Sequence, residues 1–305
     1  MQFFSKITDL TVSNSNIVIA LGAFDGIHIG HQSILRQTIA LAKSIQGKSM
    51  VFTFSNHPLS VLAPDRAPLK IGDNFSRKHI LAELGIDILV DIPFTKKFAK
   101  ISPEDFLQML KENFAPKFIV SGPNYTFGYR GKGTTKMLLR EGAQYGFQAE
   151  IHPAVYLDGR MVSSTQIRKL IAGGDLLLAN EYLGRPFTFS GPVIHGDKRG
   201  RTLGFPTANL AIGNERAMLP NGVYAAQVIL KESDYNALVN VGNNPTFAGC
   251  NRRLEAHLLD FQEDIYDAML QVRFLRKLRD EQKFSSAEAL VKQMHLDLNN
   301  ARSAF

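Results

Sequence analysis

The hydrophobic pattern of the chain changes character about three-fifths of the way along. In the first part, short apolar runs alternate with amphipathic stretches. Ile17 to Leu21 is a continuous apolar run that reads as a buried parallel strand. Ile34, Leu35, Ile39, Ala42 and Ile45 follow at helical spacing. Ser49 to Phe54, Ile86 to Ile92 and Phe118 to Val120 read as further strands, and Ala149 to Leu157 alternates as a strand does. Between them lie helical patterns at Phe75 to Leu84, from Ser102 with Pro103 and two acids in its first turn, and from Thr134 to Tyr145 before Gly146. Ser163 opens a helix through Ile171, and Leu176 to Leu183 forms a last short one before Gly184. This order predicts an α/β fold, a parallel sheet with helices on both faces.

Beyond Gly184 the helical period disappears. Thr188 to Ile194, Gly222 to Leu230, Asn236 to Val241, Leu254 to Phe261 and Leu270 to Phe274 read as strands separated by Gly- and Pro-bearing loops. That predicts an all-β barrel or sandwich, closed by a helix from Ser286 to Leu298. The boundary falls at Gly184-Arg185-Pro186, giving domains 1–184 and 185–305. The length of 305 residues suits two domains.

Composition narrows the setting. No apolar run reaches the length of a membrane span, and the first residues lack the apolar core of a signal peptide. The single cysteine, Cys250, excludes an internal disulfide and fits a reducing cytoplasm. The net charge of +7 raises the question of nucleic acid, but the basic residues are scattered. Anionic small substrates account for them equally well.

The candidate chemistry sits in two places. The first is the turn after Leu21, Gly22-Ala23-Phe24-Asp25-Gly26-Ile27-His28-Ile29-Gly30-His31. Glycines let the backbone approach a ligand, and the helix that follows offers free N–H groups to an anion. His28 and His31 can both donate to a phosphate chain. There is no P-loop, no G-x-G-x-x-G and no H-E-x-x-H in the chain. The His28-Ile29-Gly30-His31 tetrapeptide is common to nucleotidyltransferases and class I aminoacyl-tRNA synthetases, but no K-M-S-K-S-like loop accompanies it. In its place stand Ser163, Ser164, Thr165 and Arg168, which can hold a departing pyrophosphate and which, taken alone, read as an ordinary helix start. Asn124 and Phe127 follow the strand ending near Val120, where open α/β sheets bind ligands; core packing explains Phe127 as readily.

The second place opens the β domain. Gly191, Gly196, Gly200 and Gly204 alternate with Lys198, Arg199 and Arg201, a composition that suits a polyphosphate. Thr207 and Asn209 offer hard oxygen ligands to Mg²⁺ carrying phosphates. A phosphoryl acceptor hydroxyl then needs a base. Glu255 lies on a strand among apolar residues, and by composition alone is a surface glutamate as readily as a base.

Both halves, in this order, resemble the bifunctional riboflavin kinase/FAD synthetases of bacteria. The residues that carry the resemblance are Gly22, Phe24-Asp25-Gly26, His28 and His31, then Ser163-Ser164-Thr165 with Ile167-Arg168. In the second half they are Gly200-Arg201, Leu203 to Asn209, Gly222-Val223-Tyr224, Asn240-Val241-Gly242, Pro245-Thr246-Phe247, Glu255 with His257 to Phe261, and Leu278-Arg279. The resemblance implies a Rossmann-like nucleotidyltransferase domain with a parallel sheet and a Greek-key β-barrel riboflavin kinase domain with a terminal helix. It implies phosphorylation of riboflavin to FMN with ATP, then adenylylation of FMN to FAD with a second ATP and release of pyrophosphate. Glu255 is then the kinase base, and Thr207 and Asn209 hold Mg-nucleotide. His28 and His31 stabilise the adenylyl transition state. Gly22, Phe24, Asp25, Gly26, Gly30, Ser163, Ser164, Thr165, Arg168, Gly196, Lys198, Gly200, Arg201 and Gly204 line the nucleotides, and Asn124, Phe127 and Arg279 are flavin candidates. The partners implied are ATP, riboflavin and FMN, with no nucleic acid and no membrane. A kinase fused to a nucleotidyltransferase for another phosphorylated small molecule is the alternative. Asp267 stands where the family pattern has glycine, a difference expected to touch only a turn.

Overall fold

The computed structural model describes residues 1–7, 16–196, 204–231, 233–247, 250–302 and 305. It divides into two compact units, one of residues 1–68 and 74–163, the other of residues 69–73 and 164–305.

The first unit runs β1 (Gln2–Phe4), β2 (Ile17–Leu21), α1 (Ile29–Ser44), β3 (Lys48–Phe54), α2 (Pro58–Leu62), α3 (Asn74–Glu83), β4 (Ile88–Ile92), α4 (Pro103–Phe114) and β5 (Phe118–Ser121). It continues with a small hairpin of β6 (Thr126–Phe127) and β7 (Gly133–Thr134), then α5 (Thr135–Glu141), β8 (Gln148–Ile151) and a second hairpin of β9 (Tyr156–Leu157) and β10 (Arg160–Met161). The main sheet is parallel throughout, in the order β1-β4-β3-β2-β5-β8. Successive residues of β2 point to opposite layers. Ile17, Ile19 and Leu21 join Phe106, Leu110 and Phe114 of α4 on one side. Val18 and Ala20 join Ile34, Leu35 and Ala42 of α1 and Leu81 of α3 on the other. A strand buried on both faces has no polar position to spare, hence the unbroken apolar run.

Three features depart from the sequence expectation. The strand expected over Ala149 to Leu157 ends at Ile151, and Tyr156–Leu157 pairs instead with Arg160–Met161. Pro153 lacks the N–H that a continuing ladder needs. β1 and α2 were not legible as periodic segments, being only three and five residues long.

A buried ion pair ties α3 to the sheet. Arg77 donates both to Asp91, at 2.8 and 2.7 Å, and to the carbonyl of Phe54 at 3.0 Å. The Asp91 side chain is 2% exposed and that of Arg77 11%. Removing one partner leaves a buried charge unpaired, so Asp91→Ala is expected to destabilise the first unit by about 3–5 kcal/mol in urea unfolding.

The second unit contains α6 (Ser164–Gly173), α7 (Leu176–Leu183), β11 (Phe187–Pro192), β12 (Ala208–Ile212), β13 (Gly222–Leu230), β14 (Ser233–Phe247), β15 (Cys250–Leu258), β16 (Met269–Arg279) and α8 (Ala287–Ala301). The strands form an antiparallel sheet in the order β11-β16-β13-β14-β15-β12. Its two ends meet where the Ile194 N–H donates to the Asn209 carbonyl at 2.8 Å, so the sheet curls into a nearly closed barrel. Phe187, Phe189, Leu210, Tyr224, Val239, Leu254, Val272 and Phe274 fill its inside. The helix α8, capped by Ser286, lays Ala301 and Leu298 against Val223, Ala225 and Leu238 on the outside. Asp267 has a φ of 62°, the left-handed conformation that glycine adopts freely and that Asp tolerates better than most.

Candidate functional site

The sheet of the first unit changes winding direction between β2 and β5. From β2 the chain moves to β3 on one side, and β5 returns to pair on the other, with Leu21 opposite Ser121. Ligands bind outside the carboxyl ends of strands at such a point. The turn carrying His28 follows β2, and Asn124 follows β5.

That turn is built on unusual backbone. Phe24, Gly26 and Ile27 have φ of 47°, 78° and 37°. A β-branched residue in the left-handed region is strained, and strain of this kind collects at ligand sites. The Phe24 ring lies fully buried beneath the turn, so any part it takes in binding nucleotide comes from its backbone. Its edge meets His31, with ring centroids 5.3 Å apart. A Cβ on Gly22 would lie 3.0 Å from the same ring.

His28 is the N-cap of α1. Its Nδ1 accepts from the His31 backbone N–H at 3.2 Å, which leaves the ring proton on Nε2. The two imidazoles stack at 3.7 Å, 17° from parallel. A Cβ on Gly30 would lie 3.2 Å from the His28 ring, so the glycine makes room for that stack. The result is a pair of rings beside a helix N-terminus, with donors for an anion. Asp25 and Gly26 lie in the same turn, half-buried and buried.

Asn124 is exposed beyond β5, whereas Phe127 is packed into the core against Phe106 at 5.2 Å. Phe127 therefore anchors the loop from below. Ser163 closes the first unit; Ser164, Thr165 and Arg168 lie on the first turns of α6, in the second unit. There the Arg168 Nε donates to the Leu69 carbonyl at 2.6 Å.

In the second unit the strand register assembles a row that the sequence scatters over 70 positions. Asn209 on β12 stands opposite Glu255 on β15, Glu255 opposite Asn240 on β14, Asn240 opposite Val223, and Val223 opposite Arg279 on β16. Cross-strand partners project from the same face. Leu254 and Ala256 point into the barrel, so Arg253, Glu255 and His257 point out, toward the face that carries α8.

Asn209 is buried, and its amide packs against the backbone of Gly196; a Cβ there would lie 2.3 Å from Nδ2. Thr207 lies two residues back, just before β12, and its carbonyl accepts from that Nδ2 at 3.5 Å. Glu255 forms an ion pair with Arg253. The Pro206 carbonyl accepts from His257 Nδ1 at 2.8 Å, which fixes the segment before Asn209. Phe205 is wedged between the rings of His257 and His295, at 5.3 and 5.2 Å. Gly204 has a φ of 83°. Lys198, Gly200 and Arg201 lie outside the described residues.

Arg279, a flavin candidate from the sequence, is held at the end of β16 by hydrogen bonds. Its Nε and Nη2 fork onto Asp297 of α8, at 2.9 and 2.8 Å, and Nη1 donates to the Asp280 carbonyl. Asp297 is 2% exposed, so this pair fixes α8 against β16. Inside the barrel end, Tyr224 donates to the Pro220 carbonyl at 2.7 Å, and burial pushes its phenol up to about 12. Burial also lowers the neighbouring Arg252 from its usual range.

Arg253, Asn240, His257 and Asp297 were not singled out as functional from the sequence. The period of two from Glu255 points to Arg253 and His257; Asp297 had no signal. Among the described residues no cluster of three or more His, Cys, Asp or Glu side chains is placed to hold a metal. Asn209 and Glu255, paired across β12 and β15, with Thr207 just before β12, instead supply a few hard oxygens, a donor set that suits a cation whose other ligands are phosphates.

Two family models match the chain: FAD synthetase over residues 10–166 and riboflavin kinase over residues 183–305. The bifunctional riboflavin kinase/FMN adenylyltransferase of Escherichia coli K12 is 35% identical over 290 residues, covering 94% of this chain and 92% of the relative. That of Bacillus subtilis 168 is 34% identical, covering 93% and 91%. A crystal structure titled as a macrolide-efflux protein of Streptococcus pneumoniae superposes with a TM-score of 0.86 at 34% identity, over 98% of both chains. Among the described residues of this chain, no helix is long and apolar enough to cross a membrane.

Proposed function

The chain belongs to the family of bifunctional riboflavin kinase/FMN adenylyltransferases, and we propose from its geometry how the two halves divide that work. It phosphorylates riboflavin to FMN with ATP and adenylylates FMN to FAD with a second ATP.

The observation that carries the kinase assignment is Asn209 facing Glu255 across β12 and β15. Glu255 takes the proton of the ribityl hydroxyl as its oxygen attacks the γ-phosphorus and ADP leaves. Asn209 and Thr207 would hold Mg²⁺, which when bound supplies positive charge to the phosphates. The loop with Gly196, Lys198, Gly200, Arg201 and Gly204 takes the polyphosphate, and Arg279 acts through Asp297 by holding α8 in place. In the other half, a phosphate oxygen of FMN attacks the α-phosphorus and pyrophosphate departs. His28 and His31 donate to the charge that develops there, beside the N-terminus of α1. Gly22, Asp25, Gly26 and Gly30 shape the turn, Asn124 meets the flavin, and Ser163, Ser164, Thr165 and Arg168 take the pyrophosphate. These last roles rest on the family resemblance. The functional halves are 1–184 and 185–305, a reading supported by the span of the riboflavin kinase model. The single cysteine supports a cytoplasmic setting.

Incubating the full chain with riboflavin, ATP and Mg²⁺ is expected to yield FMN and then FAD by chromatography, with both stopped by EDTA. Absence of FMN overturns the reading; FMN without FAD leaves the alternative of another adenylyl acceptor. Turnover undiminished in EDTA removes the metal from it.

A further inference from the structure

We propose that Arg253 restrains Glu255 in the resting enzyme and is drawn off it by the phosphates of ATP, so that nucleotide binding frees the base. The inference rests on Glu255 being the base and deepens that reading.

Arg253 lies two residues before Glu255 on the outer face of β15, and its Nη2 donates to Glu255 Oε1. The guanidinium side chain is 16% exposed and the carboxylate side chain 28%. One oxygen of the proposed base is therefore occupied by a cation before any substrate arrives. The pairing is also poor for the arginine. Its Nη1 is buried with no hydrogen-bond partner. A guanidinium is a fork of donors, and burying one of them unmatched is unfavourable. The residues opposite Arg253 are Ala211 on β12 and Gly242 on β14, short residues both, though Glu281 Oε1 fills the space over Gly242, 3.1 Å from where a Cβ would stand. A phosphate offers the bidentate acceptor that a single carboxylate oxygen does not.

Nucleotide held at Asn209, which stands opposite Glu255 and two residues from Ala211, the residue opposite Arg253, thus gives Arg253 a better partner and leaves Glu255 unpaired beside the acceptor hydroxyl. The hydroxyl oxygen bonds to the γ-phosphorus, the bond to the bridging oxygen breaks with its electron pair staying on ADP, and the proton passes to Glu255. Arg253 forms and breaks no covalent bond. It is a positioning residue that makes the base available only when phosphate is present.

The test uses the full chain and follows FMN formation at saturating riboflavin, reading KM for ATP and kcat separately. Arg253→Gln, which keeps the length of the side chain without its charge, is expected to raise KM for ATP about tenfold, the worth of one charge-assisted hydrogen bond. Arg253→Lys is expected to fall between it and wild type. Glu255→Gln slows chemistry, so its KM approaches the dissociation constant. It is expected to bind ATP several-fold more tightly, because Arg253 no longer has a carboxylate to leave. That gain is expected to vanish in the Arg253→Gln background. A gain of equal size in both backgrounds means that the carboxylate merely repels phosphate, and overturns the hand-over. An unchanged KM in Arg253→Gln, or a Lys variant as weak as the Gln variant, overturns it as well. Undiminished kcat in Glu255→Gln overturns the base itself, a separate failure. FAD formation from supplied FMN and the thermal unfolding of each variant report that it is folded.

Discussion

Replacing Glu255 by glutamine is expected to slow FMN formation by about 10²–10⁴-fold, the usual worth of a positioned general base. FAD formation from supplied FMN is expected to be untouched. Glutamine matches glutamate in shape and still offers a carbonyl oxygen to Arg253, so the outer face of β15 keeps its packing. What it loses is the ability to take a proton. Asn209 and Asn240 flank the position on β12 and β14, and neither amide can serve as a base. His257 is two residues along β15, off the row, and its Nδ1 donates to the Pro206 carbonyl. Within the row itself, then, no side chain replaces the lost base. The measurement is the two product-formation rates of one preparation, which makes each half the control for the other. Equal loss of both rates would point to misfolding or to a shared site, and retention of FMN formation would remove Glu255 from the chemistry.

The row explains what the sequence could and could not disclose. Elements whose apolar positions repeat with one period were legible: β2 with its unbroken run, α4 with its serine cap, and α7 with matching bounds. β12 was hidden because Ala208 to Ile212 runs straight on from a loop read for its phosphate chemistry. β14 extends to Phe247, past the Val241 at which the apolar pattern stops; Gly242 and Asn243 still pair in register, and the ladder shifts between Asn243 and Phe247, the stretch that holds Pro245. Asn209 and Glu255 were each visible as oxygen donors, but their adjacency was not, since register is a property of two strands and the closure of a barrel. The same holds for Arg279. On its own strand it is one of several basic residues, and only the packing of α8 reveals that its partner is Asp297. In the first unit the turn at His28 was legible because its whole chemistry is local: cap, glycine and both imidazoles lie within four residues.

That locality makes the other large effect sharp. His28→Ala is expected to lower kcat for FAD formation by about 10²–10³-fold, as does loss of one preorganised donor to a developing oxyanion. FMN formation is expected to be unchanged. Two functions are removed at once, however, because His28 also caps α1 by accepting from the His31 N–H. Loss of a cap costs about 0.5–2 kcal/mol and loosens the first turn, where His31 sits. His28→Asn separates the two. Asparagine is among the strongest N-caps and can accept from the same N–H, but it places no ring against His31 and no donor where Nε2 stood. The asparagine variant is therefore expected to recover the thermal stability lost by the alanine variant and to stay as slow in FAD formation. If asparagine restores the rate as well as the stability, the imidazole was needed only to hold the helix start, and charge stabilisation falls to His31 and the N-terminus of α1. If it restores neither, the 3.7 Å stack of the two rings is what holds the turn together. Pyrophosphate release with supplied FMN reads the rate, and riboflavin phosphorylation in the same sample confirms that the second half is intact.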